Sequence, residues 1–451
     1  MTRPPKKKQN PIHASISSWL DTLPLPFLES LANQLNADAA NAKQLLVDRA
    51  PKRWVVYEPM VLLPSGSFTA APWPALLKSV APPQKEALWT AILHHLSPSN
   101  SKPPLTHLAI NEGIPLHLSH RNNSATTPSQ STGEPGRQQQ PSEEEENLLR
   151  APAALHPLHG SFGPAPSTST SSSRPTQADF RSALWVSTTQ NGIVQTWAPR
   201  HTMFSRGNIK EKARLLSFHS PSSSSSSNSR HTARVRKKET LRGRWAVDLY
   251  AGIGYFAFSY ARLGMQVLCW ELNAWSVEGL RRGAEANGFS VRVVTPPSAG
   301  EGGGNEVDLA EVLGLGNEEG DRSQIVVFLE DNRRAAGRVR EARERIGAEQ
   351  LEVVHVNCGF LPSSEGVWRD AWEIVQTGSG GDVWLHLHEN VGVGDIEGRK
   401  EQVQALFDRW KRERGDGGPK EAKVEHVELV KTYAPGVWHC VFDVFITRDS
   451  V

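Results

Sequence analysis

Two closely spaced glycines and two carboxylates near the middle of the chain have the types and spacing to hold a nucleoside. Gly252 and Gly254 follow the apolar run 245–247 and precede a helical pattern, which predicts a buried strand that turns sharply into a helix. Glycines let a ligand approach the backbone closely, and the next helix offers unpaired N–H groups. Glu271 ends the following apolar run, where a carboxylate can accept hydrogen bonds from both ribose hydroxyls.

The identity of the nucleoside depends on Asp248. The pattern Gly252-x-Gly254-x-x-Ala257 also satisfies a loose dinucleotide fingerprint, so a nicotinamide-dependent dehydrogenase is one alternative. Asp248, four residues before the first glycine, favours S-adenosylmethionine (SAM). The pattern Asp-x-x-x-Gly-x-Gly resembles the motif of SAM enzymes with the class I methyltransferase fold. A βαβ unit with a glycine turn, a surface acid and no nucleoside is another alternative. We predict a SAM site to which Asp248, Gly252, Gly254 and Glu271 contribute.

Polar residues also end the later apolar runs of this half of the chain. Asp331 and Asn332 follow the run 325–329, and Asn357 ends the run that begins at residue 351. Ligands of open α/β sheets bind outside the carboxyl ends of the strands, so these residues belong to the same predicted site. We expect Asp331 to accept the exocyclic amine of adenine and Asn332 to fix the ring edge. A helix cap is the alternative role for both.

Two histidines on one predicted strand raise the question of a metal site. His386 and His388 alternate, so both imidazoles lie on one face of the strand. Structural zinc usually needs four ligands, and no further cluster with ligand spacing appears in the sequence. We interpret both as structural histidines and expect no metal.

The order of apolar patterns predicts an α/β architecture with two folded parts. Residues 1–118 predict a small N-terminal α/β domain, and residues 119–178, rich in polar residues and proline with an acidic run at 143–146, predict a flexible linker. Residues 179–451 predict the SAM-binding catalytic domain, with low-complexity inserts near 220–232 and 298–322. Its Rossmann-like sheet should be mainly parallel, with an antiparallel C-terminal hairpin around Pro435-Gly436.

Composition bounds the cellular context. The chain has 451 residues, a formal net charge of +2 and three widely spaced cysteines. Cysteines in apolar strand-like contexts are typical of buried free thiols in a reducing compartment. No apolar run approaches the roughly 18 residues that span a bilayer, and the N-terminus lacks the apolar core of a secretory signal. We expect a soluble cytoplasmic protein with no membrane partner; the nucleus is the alternative location.

One basic stretch departs from this balanced charge. From Arg200 to Arg244 the chain has 12 Lys and Arg against two Glu. Because this excess immediately precedes the nucleoside motif, it predicts phosphate contact with RNA. A solvated basic loop is the alternative interpretation.

Five ordered segments together resemble the tRNA wybutosine-synthesizing protein 2 family, whose members are aminocarboxypropyltransferases related to the guanine-37 methyltransferases. The segments are 204–214, 248–256, 330–333, 357–365 and 385–391. They cover most of residues 180–447, while residues 1–118 resemble the family only loosely. Departures are Ala274, where a proline commonly follows the asparagine, and the two inserts.

The resemblance implies a reaction and a set of contacts. The reaction is transfer of the 3-amino-3-carboxypropyl group of SAM to carbon 7 of 4-demethylwyosine at position 37 of tRNA(Phe), with release of 5′-methylthioadenosine. Matching positions make Ser205, Lys212, Glu271, Asp331 and Asn332 SAM contacts, with Ser205 and Lys212 on the methionine carboxylate. The partner is the anticodon loop of tRNA(Phe), and we expect a monomer.

Other functions stay open from the sequence. A SAM-dependent tRNA (guanine-37) methyltransferase would use the same fold, because the sulfonium activates all three attached carbons and geometry decides which one reacts. A non-catalytic RNA-binding adaptor is a further alternative. If a base removes the ring proton, Glu365 is the candidate, with a loop-capping acid as its alternative role.

Overall fold

The fold is that of a computed structural model, which describes residues 10–34, 36–97, 104–111, 117–118, 145–146, 155–166, 174–220, 240–295, 312–313, 323–378, 381–415 and 419–448. The chain divides into two compact units. The smaller comprises Met1–Thr170, Arg181–Val186 and Pro199–Met203, and the larger comprises Ser171–Phe180, Ser187–Ala198 and Phe204–Val451. All predicted site residues belong to the larger unit.

The smaller unit combines helices with a four-stranded sheet around one apolar core. Its helices are Pro11–Leu20, Leu25–Gln34, Ala39–Asp48, Trp73–Ser79 and Pro82–Leu96. Its strands are β1 (Val55–Tyr57), β2 (Met60–Leu63), β3 (His107–Asn111), β4 (His117–Leu118), β5 (Glu145–Glu146) and β6 (Leu155–His159). The sheet has the order β1-β2-β3-β6, while β4 and β5 pair separately. Apolar side chains of the helices and of β2 and β3 form the core, as expected for a small α/β domain.

The prediction of a flexible linker over residues 119–178 is wrong for strand β6. Residues Leu155–His159 pair antiparallel with β3, inside the stretch 119–178. The strand is short and lies in polar, proline-containing surroundings, so composition hides it. The sheet edge supplies hydrogen-bond partners to any segment that reaches it, whatever the average composition around that segment. Residues 119–144, 147–154 and 167–173 of the predicted linker lie outside the described residues.

A short hairpin precedes the main sheet of the larger unit. After the helix Gln177–Ser182, strands β7 (Val186–Gln190) and β8 (Ile193–Trp197) form a two-stranded sheet. Asn191 and Gly192 connect them with φ values of 52° and 73°. Positive φ at both central residues is the geometry of a two-residue hairpin turn, so the turn expected from the Asn-Gly pair is confirmed.

The larger unit is built on an eight-stranded sheet of the order β11-β12-β10-β9-β13-β14-β16-β15. The strands are β9 (Trp245–Asp248), β10 (Gln266–Trp270), β11 (Val291–Val294), β12 (Ile325–Phe328), β13 (Val353–Cys358), β14 (Gly381–Gly392), β15 (Glu421–Ala434) and β16 (Val437–Arg448). Pairings from β11 to β14 are parallel, and β16 is antiparallel to both of its neighbours. This topology confirms the expected mainly parallel sheet with an antiparallel C-terminal hairpin.

Helices cover both faces of this sheet. They are Ile209–Ser217, Ala257–Arg262, Ala274–Ala286, Ala335–Ile346, Trp368–Gln376 and Ile396–Arg414. Successive side chains of a strand point to opposite faces, and Trp245 and Val247 of β9 accordingly join one core while Ala246 joins the other. Burial on both faces explains why these strands are continuously apolar up to their polar ends.

The three cysteines are buried free thiols, as the sequence predicts. Within the described residues, no helix has both the length and the apolar character needed to cross a bilayer.

Candidate functional site

The segment Leu249–Tyr255, here named the glycine turn, connects β9 to the next helix. Gly252 and Gly254 have φ values of 54° and 85°, in the left-handed region that favours glycine. A Cβ on Gly254 would lie 2.5 Å from the Phe258 ring. Backbone conformation and space therefore both require glycine at position 254.

Glu271 lies beside the glycine turn, at the end of β10. Its Oε2 accepts a hydrogen bond from the N–H of Gly252 at 2.9 Å, and its Oε1 accepts one from the N–H of Asn273 at 2.8 Å. Burial raises the pKa of Glu271 to about 7, although both hydrogen bonds favour the charged form. A carboxylate offers about four lone-pair positions, so these hydrogen bonds leave acceptor capacity for the ribose.

Asp248 and Asn357 form a buried pair at the ends of β9 and β13. Asn357 Nδ2 donates to Asp248 Oδ1 at 3.2 Å, and neither side chain is exposed. Asp248 Oδ2 and Asn357 Oδ1 are buried without a hydrogen-bond partner among the described residues. Burial raises the pKa of Asp248 to about 6. Two buried acceptors without donors fit a ligand that brings donors, while direct cofactor contact by either residue stays a prediction.

Asn332 joins the end of β12 to the same turn. Its Nδ2 donates to the carbonyl oxygen of Leu249 at 2.8 Å. Asp331 caps the short 3-10 helix Asn332–Arg334, because its Oδ1 accepts from the N–H of Arg333 at 2.8 Å. The alternative role predicted for Asp331, a helix cap, is therefore observed. It engages one carboxylate oxygen, and the adenine contact stays a prediction.

Lys212 is a cation held by neutral partners. It is 2% exposed, and its Nζ donates to the Oε1 atoms of Gln190 and Gln195. The Nζ also lies 5.1 Å from the ring centroid of Phe204 and 5.3 Å from that of Tyr255, which suits a cation. Burial, followed by the charge of Lys431, lowers the pKa of Lys212 to about 7.

Lys431 is a residue of this site that the sequence analysis missed. It lies on β15, and its Nζ donates to Ser205 Oγ at 3.3 Å and to Asn208 Oδ1 at 3.4 Å. Ser205 is tied to the glycine turn, because its N–H donates to the hydroxyl oxygen of Tyr255 at 2.9 Å. A lysine in a solvent-facing strand pattern carries no signal of its own. Only the register of the C-terminal hairpin places it here.

The predicted cofactor-binding residues lie around the glycine turn. All except Asp331 contact the turn, form part of it or belong to the buried Asp248–Asn357 pair. Glu271 reaches it through Gly252, Asn332 through Leu249, and Ser205 and Lys212 through Tyr255. The structure thereby gathers Ser205, Lys212, Asp248, Gly252, Gly254, Glu271, Asn332 and Asn357, with Asp331 next to Asn332 in the chain. Four strand ends and the helix that carries Lys212 thus place polar side chains around the glycine turn.

Glu365 does not join this group through any contact between described residues. Its carboxylate pairs with Arg399 at 2.5 Å, and its side chain is 56% exposed. Arg399 also pairs with Glu389 at 2.8 Å. These pairings support the loop-structuring role set beside the catalytic one, and a role for Glu365 as a base stays a prediction.

His386 and His388 have the structural contacts that the sequence analysis favours. Both are buried; His386 Nδ1 lies 2.7 Å from Asp443 Oδ1, and His388 Nδ1 lies 2.9 Å from His439 Nε2. In the part of the chain that the structure describes, no group of three His, Cys, Asp or Glu side chains is arranged to hold a metal ion.

The basic stretch is partly used inside the fold. Arg214 pairs with Asp443 at 2.6 Å, Lys210 pairs with Glu428 at 2.7 Å, and Lys212 is buried. Residues 221–239, which hold its densest basic run, lie outside the described residues. The local charge excess therefore overstates the number of cations left for RNA.

Comparisons with known proteins identify the family. No protein-family model matches the chain. The chain is 34% identical over 396 residues to the tRNA wybutosine-synthesizing protein 2 of Schizosaccharomyces pombe, covering 87% of this chain and 72% of that protein. It is 31% identical over 426 residues to the protein of the same name from Saccharomyces cerevisiae, covering 88% and 75%.

Solved structures give weaker likenesses. One is P. horikoshii TYW2 in complex with MeSAdo, with a TM-score of 0.47, 15% identity and coverage of 94% of this chain and 99% of that one. Its TM-score is too low to support an argument, so the assignment depends on the two yeast proteins. The chain belongs to the tRNA wybutosine-synthesizing protein 2 family.

Proposed function

We propose that this chain transfers the 3-amino-3-carboxypropyl group of SAM to carbon 7 of 4-demethylwyosine at position 37 of tRNA(Phe), with the polar group around the glycine turn as its SAM site. Family membership supports the reaction. The observation that supports the site is the convergence of Glu271, Asn332, Ser205 and Lys212 on the glycine turn. The tRNA anticodon loop, a monomeric state and a cytoplasmic location belong to the same proposal.

The side chains divide the work of binding by their chemistry. Glu271 accepts the ribose hydroxyls, Asp331 and Asn332 hold the adenine edge, and the glycines leave space for the ligand beside the backbone. Lys212 and Ser205 hold the methionine carboxylate and so fix the carbon chain that is to be transferred. When bound, the sulfonium of SAM activates the carbons attached to it. Rigid positioning of both ends selects the carbon that meets the base.

The Lys212→Met variant is expected to weaken SAM binding by about 10- to 100-fold, the effect of losing a charge-assisted hydrogen bond in a buried site. Binding of methylthioadenosine, which lacks the carboxylate, should change by less than about twofold by the same reasoning. Isothermal titration calorimetry with both ligands measures the difference. Lys210→Met, an exposed change in the same helix, is the matched control. Equal weakening of both ligands would refute the carboxylate role.

The affinity for SAM should have a maximum near pH 7. Burial raises the pKa of Glu271 to about 7, so the carboxylate that accepts the ribose hydroxyls is mostly ionised above that pH. The pKa of Lys212 is lowered to about 7, so its ammonium group is mostly charged below that pH. The fraction with both charges falls about threefold at pH 6 and at pH 8 relative to pH 7. Methylthioadenosine affinity should instead rise about tenfold from pH 6 to pH 8, because only Glu271 matters.

One variant assigns the alkaline limb of this pH profile. Lys212→Met should remove the alkaline decline, so that the affinity for SAM follows the curve of methylthioadenosine. Titrations at five or six pH values with both ligands provide the test. An alkaline decline that persists in Lys212→Met would contradict the assignment.

The reaction itself is tested on cellular tRNA. Mass spectrometry of the nucleoside at position 37 of tRNA(Phe), from cells that lack the protein, should show 4-demethylwyosine without the aminocarboxypropyl group. Reintroduction of the wild-type chain should restore the group. A complete wybutosine side chain in the deleted cells would contradict the proposed function.

A further inference from the structure

Two lysines of the site have ammonium groups that are surrounded by neutral partners. Lys212 and Lys431 both contact the segment 204–208, and all their hydrogen-bond partners are neutral amides or a hydroxyl. In the described part of the chain, neither ammonium group pairs with a carboxylate. The charge of Lys431 is close enough to lower the pKa of Lys212. The fold thus holds two like charges together without an anion of its own.

Holding two ammonium groups together out of water opposes folding, because burial and like charge both disfavour the charged forms. An oxyanion placed between them would reverse both effects. The structure therefore has the chemistry of a built anion site. Two oxyanions are at hand in the proposed reaction, namely the carboxylate of SAM and a phosphate of the tRNA.

We propose that Lys431 is the second cation for the carboxylate of the aminocarboxypropyl group, acting together with Lys212 and Ser205. This inference rests on the proposed function. In the transfer, the bond between sulfur and the propyl carbon breaks with its electron pair going to sulfur, a bond forms to carbon 7, and the ring proton is released to water. The carboxylate travels with the transferred group. Lys431 therefore binds it on the donor and again on the product base, but never contacts methylthioadenosine.

The space for the Lys431 side chain is provided by a glycine. A Cβ on Gly207 would collide with Lys431 Cδ and would lie 2.6 Å from its Nζ. Gly207 lies in the 3-10 helix Arg206–Asn208, and no positive φ requires glycine there. The absence of a side chain at position 207 thus makes room for the aliphatic part of the Lys431 side chain. An alanine at 207 displaces the ammonium group and leaves the lysine itself in place.

The burial of the two lysines favours the carboxylate of SAM over a phosphate of the tRNA as their ligand. Lys212 is 2% exposed and Lys431 is half-buried, which suits a small ligand better than the bulky backbone of an RNA. His439, opposite Lys431 in the antiparallel register, has its pKa lowered to about 3 by burial and by the Lys431 charge. It is neutral at physiological pH, so it neither competes for the anion nor adds a third charge.

Three variants test the proposal by calorimetry. Lys431→Met should weaken SAM binding about tenfold and change methylthioadenosine binding by less than about twofold, as the loss of one charged contact to the carboxylate. Gly207→Ala should weaken SAM in the same direction. The double variant should be no weaker than Lys431→Met alone, because both changes remove the same contact. Lys423→Met, on the same strand and paired with Glu425, is the matched control and should bind like the wild type.

Filter binding of tRNA(Phe) over a range of salt concentrations separates the two oxyanions. Unchanged tRNA affinity in Lys431→Met, with weakened SAM, supports the proposal. Weakened tRNA binding with a reduced salt slope and unchanged SAM affinity would overturn it in favour of a phosphate contact. Unchanged binding of both ligands would also overturn it.

The wild-type chain shows which proposal has failed. If it binds SAM and releases methylthioadenosine while Lys431→Met binds SAM equally well, only the role of Lys431 is wrong. If the wild type binds no SAM, the proposed function itself is wrong.

Discussion

The Glu271→Ala variant is expected to bind both SAM and methylthioadenosine about 100-fold or more weakly than the wild type. Both ligands carry the ribose, and the change removes two charge-assisted hydrogen bonds, each contributing about 1.5–3 kcal/mol. It also removes the acceptor that holds the N–H of Gly252 at 2.9 Å, so the glycine turn loses a support. Calorimetry with both ligands gives the two dissociation constants.

The joint loss of both ligands distinguishes this variant from Lys212→Met, which should affect SAM alone. Glu285→Ala is the control, because Glu285 is 75% exposed on the helix that follows β10. Far-UV circular dichroism checks that Glu271→Ala is folded. Wild-type affinity for methylthioadenosine in a folded Glu271→Ala protein would show that this carboxylate does not hold the ribose.

A second large effect is expected from Asp443, far from the glycine turn in sequence. Asp443 is wholly buried on β16 and accepts hydrogen bonds from Arg214 at 2.6 and 3.1 Å, with His386 Nδ1 at 2.7 Å. Arg214 also pairs with the buried Glu211 at 2.7 Å. The network anchors the helix Ile209–Ser217 to the sheet, and its helical members Glu211 and Arg214 lie within two positions of Lys212.

Asp443→Asn should lower the free energy of unfolding of the larger unit by about 3–5 kcal/mol, the usual cost of leaving a buried charge with part of its partners. The arginine charge stays, while the carboxylate that offsets it is gone. Glu413→Gln breaks the exposed pair with Arg369 and should cost less than about 1 kcal/mol. Urea unfolding followed by tryptophan fluorescence compares the two variants. Equal midpoints for both would mean that the buried pair does not stabilise the fold.

Local sequence was sufficient for the parts of the fold that local chemistry controls. The glycine turn, the Asn191-Gly192 hairpin and the carboxylate at the end of β10 each depend on residues that lie near one another in the chain. Positive φ values favour glycine or asparagine, and an apolar run that ends in a polar residue indicates a buried strand and its end. The strand ends of a parallel sheet then meet at one edge, so the convergence of their polar residues followed from the fold.

Contacts between residues far apart in the chain could not be predicted from the sequence. Arg214 meets its partner Asp443 across 229 positions, and the stem of Lys431 crosses Gly207 from the far hairpin. No local charge count shows that such partners exist, so the count for the basic stretch includes cations that are paired or buried inside the fold. Strand β6 was missed for a related reason, since pairing at a sheet edge does not depend on the composition of the surrounding stretch.

The most direct test of the account is the identity of the nucleoside released when the purified chain acts on tRNA(Phe) that contains 4-demethylwyosine, with SAM as the donor. Chromatography with mass detection separates the possible products. We expect methylthioadenosine, in equal amount to the modified tRNA. Release of S-adenosylhomocysteine would show methyl transfer instead and would contradict it.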